Sequence, residues 1–110
     1  MKNFIQSGAN LTVLAAAAIA SGDGVLTGSI FGVAQCAAAS GEELVVARFG
    51  VFELPKLEAQ AWTAGAKIYW DDANTRCTTV ASGNTLIGAA VEAAVNPSTA
   101  GKVLLDGVIR

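Results

Sequence analysis

Apolar positions along this chain come in short runs of four to eight residues, cut apart by glycine or by clusters of Ser, Asp and Asn. The runs cover 11–14, 24–27, 29–34, 43–49, 51–54, 67–70, 77–80, 85–91 and 102–109, and most are rich in Val, Ile, Leu, Phe or Thr. Alanine is abundant and favours helix, but twelve glycines interrupt nearly every window long enough to hold one. The runs therefore read as about nine short strands. Within 67–70, Ile68 and Trp70 share one face and Lys67 and Tyr69 the other, the period-two alternation of a half-buried strand. Tight turns at 21–24, 71–74 and 81–84 join neighbouring runs. The expected fold is all-β, a small antiparallel barrel or sandwich occupying residues 1–110 as one domain. Residues 55–62 read as an irregular loop that tucks Trp62 over an open barrel end, in preference to a single helical turn starting at Pro55. Segments show little similarity to one another, which argues against a repeat array, and no Pro-rich, Ser-rich or charged linker divides the chain.

The apolar run at 11–20 ends in Ala18-Ile19-Ala20 and has Lys2 ahead of it, the outline of a secretory signal cleaved after Ala20. Against that reading, the polar stretch 6–10 separates the charge from the run. The run is about half the roughly 20 residues needed to cross a bilayer, so no membrane span is expected.

Composition narrows the function. Hydrophobic residues make up 53% and charged residues 15%, so the chain must fold or associate. Seven Lys and Arg against nine Asp and Glu give net charge −2, the wrong sign for neutralising phosphates, and direct nucleic-acid binding is not expected. With no His and only Cys36 and Cys77, four zinc ligands do not exist in one chain, and both cysteines read as reduced thiols on strands. Without His, a Ser or Cys nucleophile lacks its usual proton acceptor. The carboxylates pair only as neighbours, Glu42-Glu43 and Asp71-Asp72, which point to opposite faces of a strand, and Asp71-Asp72-Ala73-Asn74 reads as turn chemistry. Ser21-Gly22-Asp23-Gly24 lacks the dinucleotide spacing because residue 27 is Thr, and Gly101-Lys102 lacks the rest of a P-loop. No catalytic residue, cofactor or metal site is expected.

Binding surfaces are the remaining candidates. Met1 to Gln6 carries Phe4 and Ile5 ahead of a polar segment, which suits an extended arm within residues 1–10 that adds a strand to a neighbour's sheet; the alternative is an ordinary first strand of its own barrel. Phe52 and Leu54 share a face ahead of Pro55 and either pack in the core or form a subunit-facing patch. Trp62 is the fifth candidate.

Five ordered blocks carry a family resemblance: Met1-Lys2-Asn3-Phe4-Ile5-Gln6, Ile19-Ala20-Ser21-Gly22-Asp23-Gly24-Val25-Leu26, Gly50-Val51-Phe52-Glu53-Leu54-Pro55-Lys56, Gly65-Ala66-Lys67-Ile68-Tyr69-Trp70-Asp71-Asp72 and Gly83-Asn84-Thr85-Leu86-Ile87-Gly88. Together they resemble the capsid cement, or head-decoration, proteins of tailed phages, a family sometimes labelled a RecA/RadA-like phage recombinase. The recombinase label fits poorly, since the P-loop of such an ATPase is absent and the charge balance is acidic. The resemblance implies a small β-barrel or β-tulip-like fold on the outside of a virion capsid. It also implies homotrimers at local three-fold positions, the major capsid protein as partner, and a stay in the host bacterial cytoplasm before assembly. The competing classes are a secreted or periplasmic β-domain released after Ala20 and a nucleotide- or DNA-binding recombination factor.

Overall fold

Glycine punctuation and β-branched runs translate directly into strands. The computed structural model describes residues 10–107, among which no helix forms. Nine strands follow in order: β1 (Asn10–Leu14), β2 (Gly24–Thr27), β3 (Ile30–Ala34), β4 (Glu43–Ala47), β5 (Phe49–Pro55), β6 (Lys67–Asp71), β7 (Arg76–Thr78), β8 (Thr85–Ala90) and β9 (Ala100–Asp106). They form two antiparallel sheets, one ordered β1-β4-β3-β2 and the other β5-β9-β8-β6-β7. The fold is thus all-β, as the pattern of runs requires. The loop reading of 55–62 holds in outline, with Trp62 meeting Ala94 in an isolated bridge.

The two sheets are two copies of one four-stranded motif, contrary to the expectation drawn from low internal similarity. β1, β2, β3 and β4 correspond to β5, β6, β8 and β9, and β7 is an insertion between the second pair. The correspondence extends to single hydrogen bonds outside the strands. Gly22 N–H donates to Ala34 O (2.8 Å) and Ala34 N–H to Asp23 O (2.8 Å); in the second copy Gly65 N–H donates to Ala90 O (2.8 Å) and Ala90 N–H to Ala66 O (2.9 Å). Ile19 and Ala38 exchange a pair of bonds (2.9 and 3.0 Å), as do Trp62 and Ala94 (2.9 and 3.1 Å). Gln35 N–H donates to Val45 O (2.9 Å), and Val91 N–H to Lys102 O (3.0 Å). Gly22 and Gly65 take φ of 90° and 85°, a left-handed turn conformation that costs other residues about 1 kcal/mol or more.

Side chains of the inward face fill a separate core in each copy. In the first, Leu44 and Val46 pack with Ala15, Ala34 and Ala38, flanked by Leu11, Val13, Ile19 and Val25. In the second, larger core, Leu54, Trp62, Ile68, Trp70, Ile87, Val103 and Leu105 pack together. Burying side chains of this size stabilises the fold by roughly 1.5–3 kcal/mol each before entropy is subtracted. The equivalent space is filled differently: Ile19 and Leu44 in one copy, Trp62 and Gly101 in the other. Val33 belongs to the second core although it lies in the first sheet, and Phe31 meets Trp70 with ring centroids 5.1 Å apart. The first copy thus presses its outer face onto the second, and the molecule measures 48 × 31 × 23 Å.

Candidate functional site

The turns consume the carboxylates that the sequence offers for chemistry. Asp71 Oδ1 accepts from Asn74 N–H (3.3 Å) and Oδ2 from the Asn74 amide (2.8 Å), and these bonds, the side-chain one foremost, hold the Asp71 carboxyl below its ordinary pKa. Asp72 Oδ1 accepts from the Trp70 indole (3.0 Å). Asp23 and Glu42 accept from Ala20 N–H (2.9 Å) and Ala39 N–H (2.6 Å) within their own turns. Among the described residues no group of three or more His, Cys, Asp or Glu is placed to hold a metal ion. The turn reading of 71–74 therefore accounts for its acidic residues.

Both thiols are free, and they differ. Cys77 lies in β7 in the core, where loss of water pushes its pKa up to about 12. Cys36 is exposed in a bend beyond the end of β3, so the expectation of two strand thiols holds for Cys77 alone. The hydrogen bond from Gln35 to Val45 O is the last that ties this segment to β4 before the chain turns away.

Of the candidate surface residues, Phe4 and Ile5 lie outside the described residues. Leu54 (1% exposed) and Trp62 (2%) are core residues of the second copy, so a partner of the folded chain reaches neither side chain. The Trp62 ring lies against Gly101, and its indole N–H donates to Gln60 Oε1 (3.0 Å), which also accepts from Thr79 N–H (2.9 Å). Beside it, the Lys56 ammonium stands 5.7 Å from the ring centroid and donates to the carbonyls of Leu57 (2.9 Å) and Ser98 (3.4 Å). Desolvation lowers the Lys56 pKa, and the Glu58 carboxylate acts in the opposite sense. Three acceptor-rich partners explain how a lysine is tolerated in the interior. Phe52 is half-buried and packs on the same core from its place opposite Val103.

An exposed apolar row lies on the other side of the same strands, while Leu14, Val45, Val80, Val91 and Val95 are exposed elsewhere. Phe49 (53% exposed), Val51 (54%) and Leu104 (48%) form a row on the outer face of β5 and β9, with Val51 directly opposite Leu104. A shallow depression of about 300 Å³ adjoins them, lined by Lys67, Leu86, Gly88, Ala89, Leu104 and Asp106. Of the two readings of Phe52 and Leu54, core packing is the one the structure bears out, and the exposed large apolar residues of β5, Phe49 and Val51, are not among the sequence candidates. The signal was present: Leu104 shares a face with Lys102 and Asp106, where a solvated strand would carry a polar residue.

The segment that reads as a signal peptide is built into the first sheet. β1 pairs with β4 along its length, Ala15 is buried, and Ile19 bridges Ala38, so cleavage after Ala20 would remove an edge strand and part of a core. Against known proteins, the family model described as phage cement protein matches residues 5–105. No curated protein and no solved structure matches the chain.

Proposed function

The chain belongs to the phage cement protein family, and from that premise we propose that it binds the outer surface of an assembled phage capsid at the junctions between subunits. Membership carries a structural, capsid-stabilising role and association with a phage capsid. The finer reading takes the major capsid protein as partner and a homotrimer as the working unit. The match over 5–105, covering both copies of the motif, is the observation that carries it.

The physical argument is one of linkage. A domain that binds the assembled shell better than its dissociated subunits stabilises the shell by mass action. Modest affinity per contact suffices when many copies act on a symmetric lattice. The acidic turns and closed cores of this chain supply shape and buried surface, and its apolar outer face supplies area to bury. The arm reading of residues 1–6, with Phe4 and Ile5, adds a strand to a neighbour's sheet edge.

Co-sedimentation of the purified protein with expanded, decoration-free capsids of its own phage tests the proposal. Saturation at three copies per local three-fold site, with a rise in capsid melting temperature, is the expected result. Absence of binding at micromolar protein would refute it.

A further inference from the structure

The internal duplication assigns an occupant to the exposed outer face of the second copy. In the first copy, Val33 pairs with Ala47 and with Gly24; at the equivalent points of the second, Ala89 pairs with Leu104 and with Lys67. Asn10 opposite Ala47 corresponds to Val51 opposite Leu104. Asn10 is exposed as Val51 is, but at the centre of the two faces the fates differ. Val33 (3% exposed) and Ala47 (8%) are buried, Val33 in the core of the second copy of the motif, whose Trp70 comes so close to Gly24 that a β-carbon there would lie 2.6 Å from the ring. At the equivalent place above Lys67, Ala89 and Leu104 there is a depression of about 300 Å³, beside the exposed Phe49 and Val51.

We propose that this face, centred on Val51, Ala89 and Leu104, is where a second copy of the chain docks, inserting an apolar side chain into the depression as Trp70 is inserted beside Gly24. The inference deepens the homotrimer part of the proposed function, on which it rests, by naming the surface. Two observations favour a copy of the chain over an unrelated protein. The one occupant seen on the equivalent face is another copy of the same four-stranded motif. The depression also has one charge of each sign on its wall, Lys67 and Asp106, so copies that meet there bring no block of like charge together. The intramolecular contact is head to tail, an outer face against a different face; repeated between chains it is a heterologous contact, which closes into a ring when the rotation permits.

The test is the molar mass of the free protein by light scattering, compared with the double variant Val51→Lys/Leu104→Glu. Opposite charges in that cross-strand pair preserve the strand pairing while removing the apolar row. The expected result is a wild-type mass near three times 11.1 kDa that falls to a single chain in the variant, with a native circular dichroism spectrum. Should the charged pair unfold the chain, Leu104→Thr, which keeps a residue suited to a strand, replaces it with the same expected fall in mass. A wild-type chain that stays monomeric at about 100 times a micromolar dissociation constant overturns the proposal. So does a variant that keeps the wild-type mass, and so does one that keeps the mass but loses capsid binding, which would give the face to the capsid protein. Because the mass is measured without capsids, failure here is distinguishable from failure of wild-type protein to bind them.

Discussion

The Trp62 ring lies against Gly101, so close that a β-carbon at residue 101 would sit 2.3 Å from the indole. Gly101 pairs with Leu54, and all three positions are sealed in the core of the second motif. Gly101→Ala should therefore destabilise the fold by about 1–3 kcal/mol through overpacking, and Trp62→Ala by about 3–5 kcal/mol through the cavity it leaves. Because the first motif fills the same space with Ile19 and Leu44, Trp62→Ile combined with Gly101→Leu should cost at least about 1 kcal/mol less than the sum of the single changes. Denaturant unfolding of the wild type, Trp62→Ile, Gly101→Leu and the double variant closes the cycle.

Adjacent residues of β5 should respond oppositely to the same change. Phe52→Asp places a charge on the core side and should lower stability by about 2–4 kcal/mol or render the chain insoluble. Val51→Asp, on the exposed side, should shift it by less than about 0.5 kcal/mol. Thermal melts at low protein concentration, where the chain is dissociated, distinguish the two.

Thiol labelling should be biphasic. An aromatic disulfide reagent should titrate one cysteine per folded chain promptly, the exposed Cys36, and the second only on unfolding. Cys36→Ser should abolish the fast phase and leave the slow one.

Alkaline stability should carry the signature of Cys77. Its folded pKa, about 12, exceeds the ordinary value of 9.0, so above pH 9 the unfolded chain releases a proton that the folded chain retains. The contribution is complete below pH 9 and is lost as pH rises toward 12, with a limiting slope of about 1.4 kcal/mol per pH unit. Cys77→Ala should flatten this part of the profile, measured by denaturant unfolding at a series of pH values.

Most strands were legible in the sequence because glycine and turn residues bound them, and the runs at 24–27 and 67–70 match their strands to within a residue; the runs 43–49 and 51–54 misplace one boundary, since β4 ends before Arg48 and Gly50 lies inside β5. The duplication was not. Corresponding positions share Gly22 with Gly65, Gly32 with Gly88, Ala34 with Ala90, Ala38 with Ala94 and Val46 with Val103, too few to stand out in a chain rich in Gly and Ala. Equivalent core space is filled by residue pairs of compensating size, and the inserted β7 shifts the spacing. On the candidate surface, alternation placed Phe52 and Leu54 on one face but left open whether that face packs in the core or meets a partner, because both faces of β5 are apolar; packing with Trp62 and Val103 makes it the inward face. Cys36 was misplaced because Val33-Ala34-Gln35-Cys36 continues a strand-like run past the point where β3 ends.

A single residue, Arg48, separates the end of β4 in one sheet from the start of β5 in the other, and its guanidinium donates to the carbonyl of Gly107, just past the end of β9. There is no slack in such a joint. In mechanical terms the two motifs form one stiff strut instead of two beads on a string: a load applied to the first sheet passes through continuous, cross-braced backbone to the second. Stretching the molecule end to end would have to break strand pairing before it lengthened a loop.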